Sequence, residues 1–149
     1  MFTIKNIKMI TLKKIRSASI FWSLFIGIGA LVGSTMMFFE PTGKIWDMYM
    51  LLPGLQKFPF SDIFFQNFIF PGIALFLVNG VTNLFSFSLI YKKHRYAAFS
   101  VVICGVILML WTSLQLFVIW GLNFMSALYF VFGLIQAFTG YLYWKREKE

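Results

Sequence analysis

Four long runs without a single charged side chain constrain this chain more than any other feature. A helix of about 20 residues is long enough to cross the roughly 30 Å hydrocarbon core of a bilayer. No Asp, Glu, Lys, Arg or His occurs in any of the runs, which are Ala18–Phe39, Pro71–Ile90, Ala97–Trp120 and Ser126–Trp144. The pattern predicts an all-α integral membrane protein with four transmembrane helices.

The basic residues predict the direction in which these helices cross. The formal net charge is +8, and most of the positive charge lies before the first run, between the second and third, and after the fourth. The remaining flanks hold only Lys44 and Lys57, together with Glu40, Asp47 and Asp62. By the positive-inside rule, both termini are expected in the cytoplasm. The excess charge is expected to face anionic membrane lipids rather than nucleic acid.

We therefore predict one domain over residues 1–149, a transmembrane up-down four-helix bundle. A basic cytoplasmic arm (1–17) precedes the first helix, and an ordered extracytoplasmic loop (40–62) joins helices one and two. The predicted helices cover 18–39, 63–91, 97–120 and 124–144.

The start of the second helix is open to two interpretations. If it begins at Ile63, Pro71 lies in its interior and kinks it. Alternatively, Asp62–Phe70 is a separate interfacial piece and Pro71 opens the helix. We favour the kinked helix.

The long stretch Glu40–Phe70, here called the connecting segment, is too rich in phenylalanine for a solvated loop. We expect it to fold over the mouth of the bundle as a lid. Its candidate contact residues are Glu40, Trp46, Asp47 and Asp62. For the three carboxylates we expect solvated charges, or partners for Lys44 and Lys57, rather than acid–base or cation-binding chemistry.

Uncharged polar and small residues inside the predicted spans recur at helical spacing and should turn inward. The stripes that result are Gly72, Asn79, Asn83, Ser86 and Ile90 on helix two, Ser100, Cys104, Trp111 and Gln115 on helix three, and Tyr129, Gly133, Gln136, Gly140 and Tyr143 on helix four. The candidate intramembrane polar face is Asn79, Asn83, Gln115 and Gln136. Its amides either join the helices to one another or line a cavity for a small ligand or lipid headgroup.

Gly29 and Gly33 on helix one form a candidate helix-contact face, since small residues four apart allow close backbone approach. Packing within the bundle is the simplest interpretation. Homodimerisation or docking to another membrane protein are the alternatives.

Missing residue types exclude several classes of protein. Proton- or sodium-driven transport generally uses an ionisable residue within a span, and small multidrug exporters of similar length need an intramembrane Glu. With one cysteine, Cys104, and one histidine, His94, the chain has neither a thiol redox pair nor an imidazole metal cluster. Intramembrane proteases need Asp pairs, Ser–His or zinc ligands. We expect no catalytic residue, no metal, no cofactor and no enzymatic activity.

Several short motifs resemble a family of small four-helix bacterial integral membrane proteins. They are Glu40-Pro41-Thr42-Gly43, Phe58-Pro59-Phe60-Ser61-Asp62, Pro71-Gly72-Ile73-Ala74-Leu75 and Asn79-Gly80, with Trp111 and Gln115 on helix three. The relatives tend to show Asp-Pro-Ser-Gly and Ser-Pro-Phe-x-Asp, so this chain departs at Glu40, Thr42 and Phe58. The resemblance implies a bacterial plasma membrane and a specified shape for the connecting segment, and it implies no activity.

Two functions lead after these exclusions, and a membrane enzyme that uses Asp47 or Asp62 at the outer surface is a third alternative. The leading hypothesis is a non-enzymatic accessory or partner-binding membrane protein, which contacts lipids and either another membrane protein or a second copy of itself. The alternative is a binding or passage site for a lipid or apolar small molecule among helices two, three and four, lined by the four amides and opening outward.

Overall fold

The computed structural model describes residues 2–45, 47–119 and 124–148. Within these ranges the regular secondary structure is entirely helical. Four helices are long and apolar enough to cross a membrane, namely α1 (Phe2–Phe39), α2 (Ile69–Tyr91), α3 (Ala97–Ile119) and α4 (Phe124–Lys148). Apart from Trp120, which lies outside the described residues, they contain the four apolar runs, which confirms the all-α prediction and its four long apolar helices.

Helix α1 is one continuous helix of 38 residues, about 57 Å long at 1.5 Å per residue. The prediction separated a basic arm, 1–17, from a helix over 18–39. In the structure residues 2–17 of the arm belong to the same helix as 18–39. The physical reason is local, because no Gly or Pro occurs before Gly27 to interrupt the backbone hydrogen bonds.

Helix α2 begins at Ile69, so the favoured start at Ile63 is wrong. Ser61–Phe64 forms a separate one-turn helix that ends before α2 begins. Pro71 is the third residue of α2, and the amides of a first helical turn have no intrahelical partner in any case. The proline therefore costs no hydrogen bond and no kink is needed to accommodate it.

A single π-helical turn, Phe76–Val81, interrupts α2. Such turns insert one extra residue and frequently mark functional sites. Asn79 and Gly80 lie in this turn and are buried. A Cβ on Gly80 would lie 2.9 Å from Cδ2 of Leu31, so α1 packs closely here.

Helices α3 and α4 have the closest backbone approach. A Cβ on Gly105 would contact the backbone nitrogen of Ala137 and lie 2.6 Å from the carbonyl oxygen of Gly133. One on Gly140 would lie 2.7 Å from the backbone nitrogen of Val102. Small residues permit this contact. Between helices in a bilayer, such close packing takes the place of the hydrophobic effect as a source of association.

Arg16 joins α1 to the C-terminal end of α2. Its guanidinium donates to the carbonyl oxygen of Ile90 at 2.9 and 3.2 Å and to that of Tyr91 at 3.1 Å. The last carbonyls of a helix lack intrahelical donors and carry partial negative charge. Arg16 thus caps α2, and Ile90 beside it lies in a buried apolar cluster with Ala98 and Tyr143.

Candidate functional site

A carboxylate-centred turn opens the connecting segment. Glu40 Oε1 accepts from the backbone nitrogen of Thr42 at 3.1 Å and from its hydroxyl, and Oε2 accepts from the backbone nitrogen of Ile45 at 3.1 Å. Gly43 follows with a φ of 72°, where a Cβ would lie 2.5 Å from the ring of Phe68. Phe68 donates its backbone N–H to Pro41 at 2.9 Å and is 1% exposed. The Glu-Pro-Thr-Gly motif therefore ties the two ends of the segment together.

These hydrogen bonds predict a pH-dependent turn. The Thr42 hydroxyl, aided by backbone amides, holds the pKa of Glu40 below its usual value. The ionised form is thus favoured by folding. Its contribution is present at neutral pH and is lost as pH falls through the lowered pKa. Glu40→Gln should accelerate hydrogen exchange at the Thr42 and Ile45 amides at neutral pH, and the difference from the native chain should vanish in acid.

Asp62→Asn serves as the matched control, because the Asp62 side chain is exposed on the one-turn helix. Unchanged protection of the Thr42 and Ile45 amides in Glu40→Gln at neutral pH would contradict the structural role of the carboxylate.

The other candidate contact residues of the segment have separate positions. Asp47 is exposed with a φ of 52°, just before the short helical stretch Met48–Leu55. Asp62 is exposed in the first turn of Ser61–Phe64. Trp46 lies outside the described residues. The Glu40 carboxylate binds amides of its own turn rather than serving as a partner for a lysine.

The aromatic residues of the segment pack on one another and on the start of α2. The ring centroids of Phe64 and Phe70 are 4.7 Å apart, those of Phe65 and Phe70 are 5.7 Å apart, and those of Phe58 and Phe65 are 6.1 Å apart. This aromatic cluster holds the connecting segment against the start of α2. A space remains between the connecting segment and the packed helices.

That space is a pocket of about 320 Å³, here called the segment pocket. Its walls come from the connecting segment, the end of α1, the first turns of α2 and the last turns of α3. The lining residues are Met37, Leu51, Leu55, Phe58, Pro59, Phe65, Phe68, Phe70, Pro71, Ala74, Trp111, Leu114 and Gln115. Among these described residues none is charged, and the polar groups are the indole of Trp111 and the amide of Gln115.

The predicted amide face divides into two places. Asn83 and Gln136 are fully buried, with Gln136 Nε2 donating to Asn83 Oδ1 at 2.6 Å and Asn83 Nδ2 donating to the carbonyl oxygen of Asn79 at 2.8 Å. Gln115 lies instead in the segment pocket. The expectation that all four amides line one cavity needs correction, since Asn79, Asn83 and Gln136 lie in a buried core among the helices and do not line the segment pocket.

Unsatisfied atoms remain in that core. The side-chain nitrogen and oxygen of Asn79 and the Oε1 atom of Gln136 are buried without a hydrogen-bond partner. Elsewhere in the protein, Ser86 and Ser100 hydroxyls lie 2.8 Å apart and join α2 to α3. Hydrogen bonds between helices thus stabilise the arrangement, although some buried donors and acceptors of the same residues have no partner.

The candidate helix-contact face of α1 is directed at neighbouring helices of the same chain. A Cβ on Gly29 would lie 3.6 Å from the hydroxyl of Tyr129 on α4, and one on Gly33 would lie 3.2 Å from Cδ2 of Leu75 on α2. This geometry agrees with packing inside one molecule, the simplest of the interpretations considered.

The His, Cys, Asp and Glu side chains of the described ranges are scattered rather than clustered. Across the described ranges, no group of three His, Cys, Asp or Glu side chains is placed to hold a metal ion. Cys104 is buried on α3, with Sγ 3.5 Å from the carbonyl oxygen of Thr82. The segment pocket presents apolar walls and two groups able to donate a hydrogen bond.

Several residues that build the site were not singled out from the sequence. Met37, Leu51 and Leu55 line the pocket, and Phe68 secures the connecting segment. Phe68 had a usable signal, because it is one of many phenylalanines in a stretch bounded by prolines. The leucines and Met37 had none, since apolar residues are ordinary in such a chain.

Comparison with protein-family models, with curated proteins and with solved structures found no match to this chain. The resemblance to small four-helix bacterial membrane proteins therefore stays a prediction.

Proposed function

We propose that this chain is a non-enzymatic integral membrane protein that holds an apolar ligand, a lipid chain or a small molecule, in the segment pocket. The observation that carries this proposal is the pocket itself. Its volume of about 320 Å³ falls at the lower end of small-molecule sites, which are roughly 300–1,000 Å³ and mostly apolar with a few polar groups.

The proposal places the protein in a bacterial plasma membrane as an up-down bundle with both termini cytoplasmic. The distribution of lysine and arginine supports this orientation, as do the four long apolar helices. The segment pocket then lies at the extracytoplasmic side, within reach of outer-leaflet lipids.

Cysteine labelling tests this orientation. In a Cys104→Ser background, an impermeant maleimide added to intact cells should modify Lys57→Cys and leave Lys93→Cys unmodified, because the two positions flank opposite ends of α2. Both positions should react after the cells are opened. Labelling of position 93 alone in intact cells would reverse the topology and place the pocket inside.

Filling the pocket tests ligand binding. A phosphatidylglycerol with a diazirine in its acyl chain should crosslink to peptides containing Leu51–Phe65 and Trp111–Gln115. Ala74→Phe adds a ring to the pocket wall and should reduce this crosslinking by about tenfold, the equivalent of 1.4 kcal/mol. The measurement is mass-spectrometric mapping of the crosslinked peptides.

The matched control is Val106→Phe, which adds aromatic volume on the exposed surface of α3 away from the lining residues. It should crosslink as the native chain does. Equal crosslinking in Ala74→Phe and the native chain, or labelling spread evenly over all four helices, would refute the pocket as the site.

The second candidate is an accessory protein that binds a partner protein. The observation that favours it is the first part of α1, where Ile7, Met9 and Ile10 are each more than half exposed beside basic residues. This function predicts that Ile7→Ser with Ile10→Ser breaks up a native complex and leaves pocket crosslinking unchanged. A complex of unaltered size would remove this candidate.

A further inference from the structure

The segment pocket has one polar corner, formed by Trp111 and Gln115. The two residues are four apart on α3, so they lie on the same face of the helix one turn from each other. Both line the pocket. The remaining walls are apolar, which makes this corner the part of the pocket that can discriminate among apolar ligands by hydrogen bonding.

The indole of Trp111 supplies a donor. Its Nε1 atom is buried and has no hydrogen-bond partner. An indole nitrogen donates and cannot accept, and a buried donor without a partner is unfavourable. Because Nε1 has almost no accessible surface in this conformation, a ligand that offers an acceptor recovers that cost once the indole ring turns toward the pocket.

The amide of Gln115 supplies a second group that can donate. Its Oε1 atom accepts from the hydroxyl of Ser126 on α4 at 3.4 Å. This contact uses one of the two lone pairs of the amide oxygen, and Nε2 supplies the donor that Gln115 can offer to a ligand. The corner therefore contains two donors, with no carboxylate among the lining residues to attract a cation.

From these contacts, we infer that the ligand of the segment pocket is an apolar molecule bearing a carbonyl oxygen, which accepts hydrogen bonds from Trp111 and Gln115. The inference rests on the proposed binding function and specifies its ligand. Two membrane molecules share this chemistry, namely the ester of a glycerolipid and a quinone.

Competition against the diazirine phosphatidylglycerol probe tests the inference. The competitors are a diester phosphatidylglycerol, the diether phosphatidylglycerol of the same chain length, and decylubiquinone. One hydrogen bond corresponds to about a fivefold difference in affinity. We expect the diester, the quinone or both to compete at about fivefold lower concentration than the diether in the native chain.

Trp111→Phe keeps the aromatic ring and removes the donor, so it should abolish this preference. Gln115→Leu should reduce it without involving the indole. Trp22→Phe is the matched control, because Trp22 packs against Phe132 on α4 and does not line the pocket. It should keep the full preference, which separates the loss of a donor from a general effect of replacing tryptophan.

The outcomes distinguish the two ligand sources, and they distinguish failure of this inference from failure of the proposed function. Preference for the diester identifies a lipid ester, and preference for decylubiquinone identifies a quinone. Equal competition by all three molecules, or a preference that persists in both Trp111→Phe and Gln115→Leu, overturns the inference while leaving the pocket as a binding site. Absence of probe crosslinking at the pocket overturns the proposed function itself.

Discussion

Gly105→Ala is expected to destabilise the protein by about 3 kcal/mol, near the top of the range for overpacking. The added methyl group would be directed at the backbone of α4, where it would contact the nitrogen of Ala137 and lie 2.8 Å from its Cα. Backbone atoms cannot rotate away as a flexible side chain can, so α3 and α4 must separate along their length. The loss should appear in equilibrium unfolding in mixed micelles, followed by circular dichroism.

Gly29→Ala provides the comparison, since it makes the same chemical change on another long helix. Its new methyl group would be 3.6 Å from the hydroxyl of Tyr129, an ordinary contact distance. Alanine also favours helix over glycine by roughly 1 kcal/mol. This variant should therefore be neutral or slightly stabilised. Similar losses in the two variants would show that the α3–α4 approach is not specially close.

Asn83→Leu is expected to cost about 2 kcal/mol through a different mechanism. It removes the acceptor of the 2.6 Å hydrogen bond from Gln136 and the donor to the carbonyl oxygen of Asn79. Gln136 is fully buried and its Oε1 already lacks a partner, so the whole amide would be left unsatisfied. Unfolding in mixed micelles measures this loss as well.

The double variant Asn83→Leu with Gln136→Leu decides whether the loss comes from the orphaned amide. Replacing both partners by apolar groups removes the buried polar atoms, and such exchanges are often nearly neutral. The double variant should be more stable than the sum of the single variants predicts. Additive losses would mean that the two amides are not coupled through their hydrogen bond.

Much of the helical architecture was predictable because hydrocarbon-length runs and inward stripes follow from local chemistry. Along α2, the five residues assigned to the inward stripe are all buried, namely Gly72, Asn79, Asn83, Ser86 and Ile90. Gln136 and Tyr143 on α4 are likewise buried. Each assignment needed only the helical period and the cost of placing an amide or hydroxyl in an apolar medium.

The candidate site was less predictable, because it depends on contacts between distant parts of the chain. Gln115 and Gln136 both appeared as inward amides, yet one lines the segment pocket and the other bonds to Asn83. Their helical positions cannot distinguish these outcomes. The difference depends on how deep each residue lies among the packed helices and on where the connecting segment folds back.

The amino-acid sequence by itself determined four apolar helices, their inward faces and the basic flanks, because each depends on the chemistry of neighbouring residues within one segment. Only the tertiary structure decided that Phe68 bonds to the carbonyl oxygen of Pro41, that Arg16 caps α2 and that Gln136 bonds to Asn83. The physical reason is that a hydrogen bond or a backbone contact between segments far apart in the chain exists only once folding has brought both partners within a few ångströms.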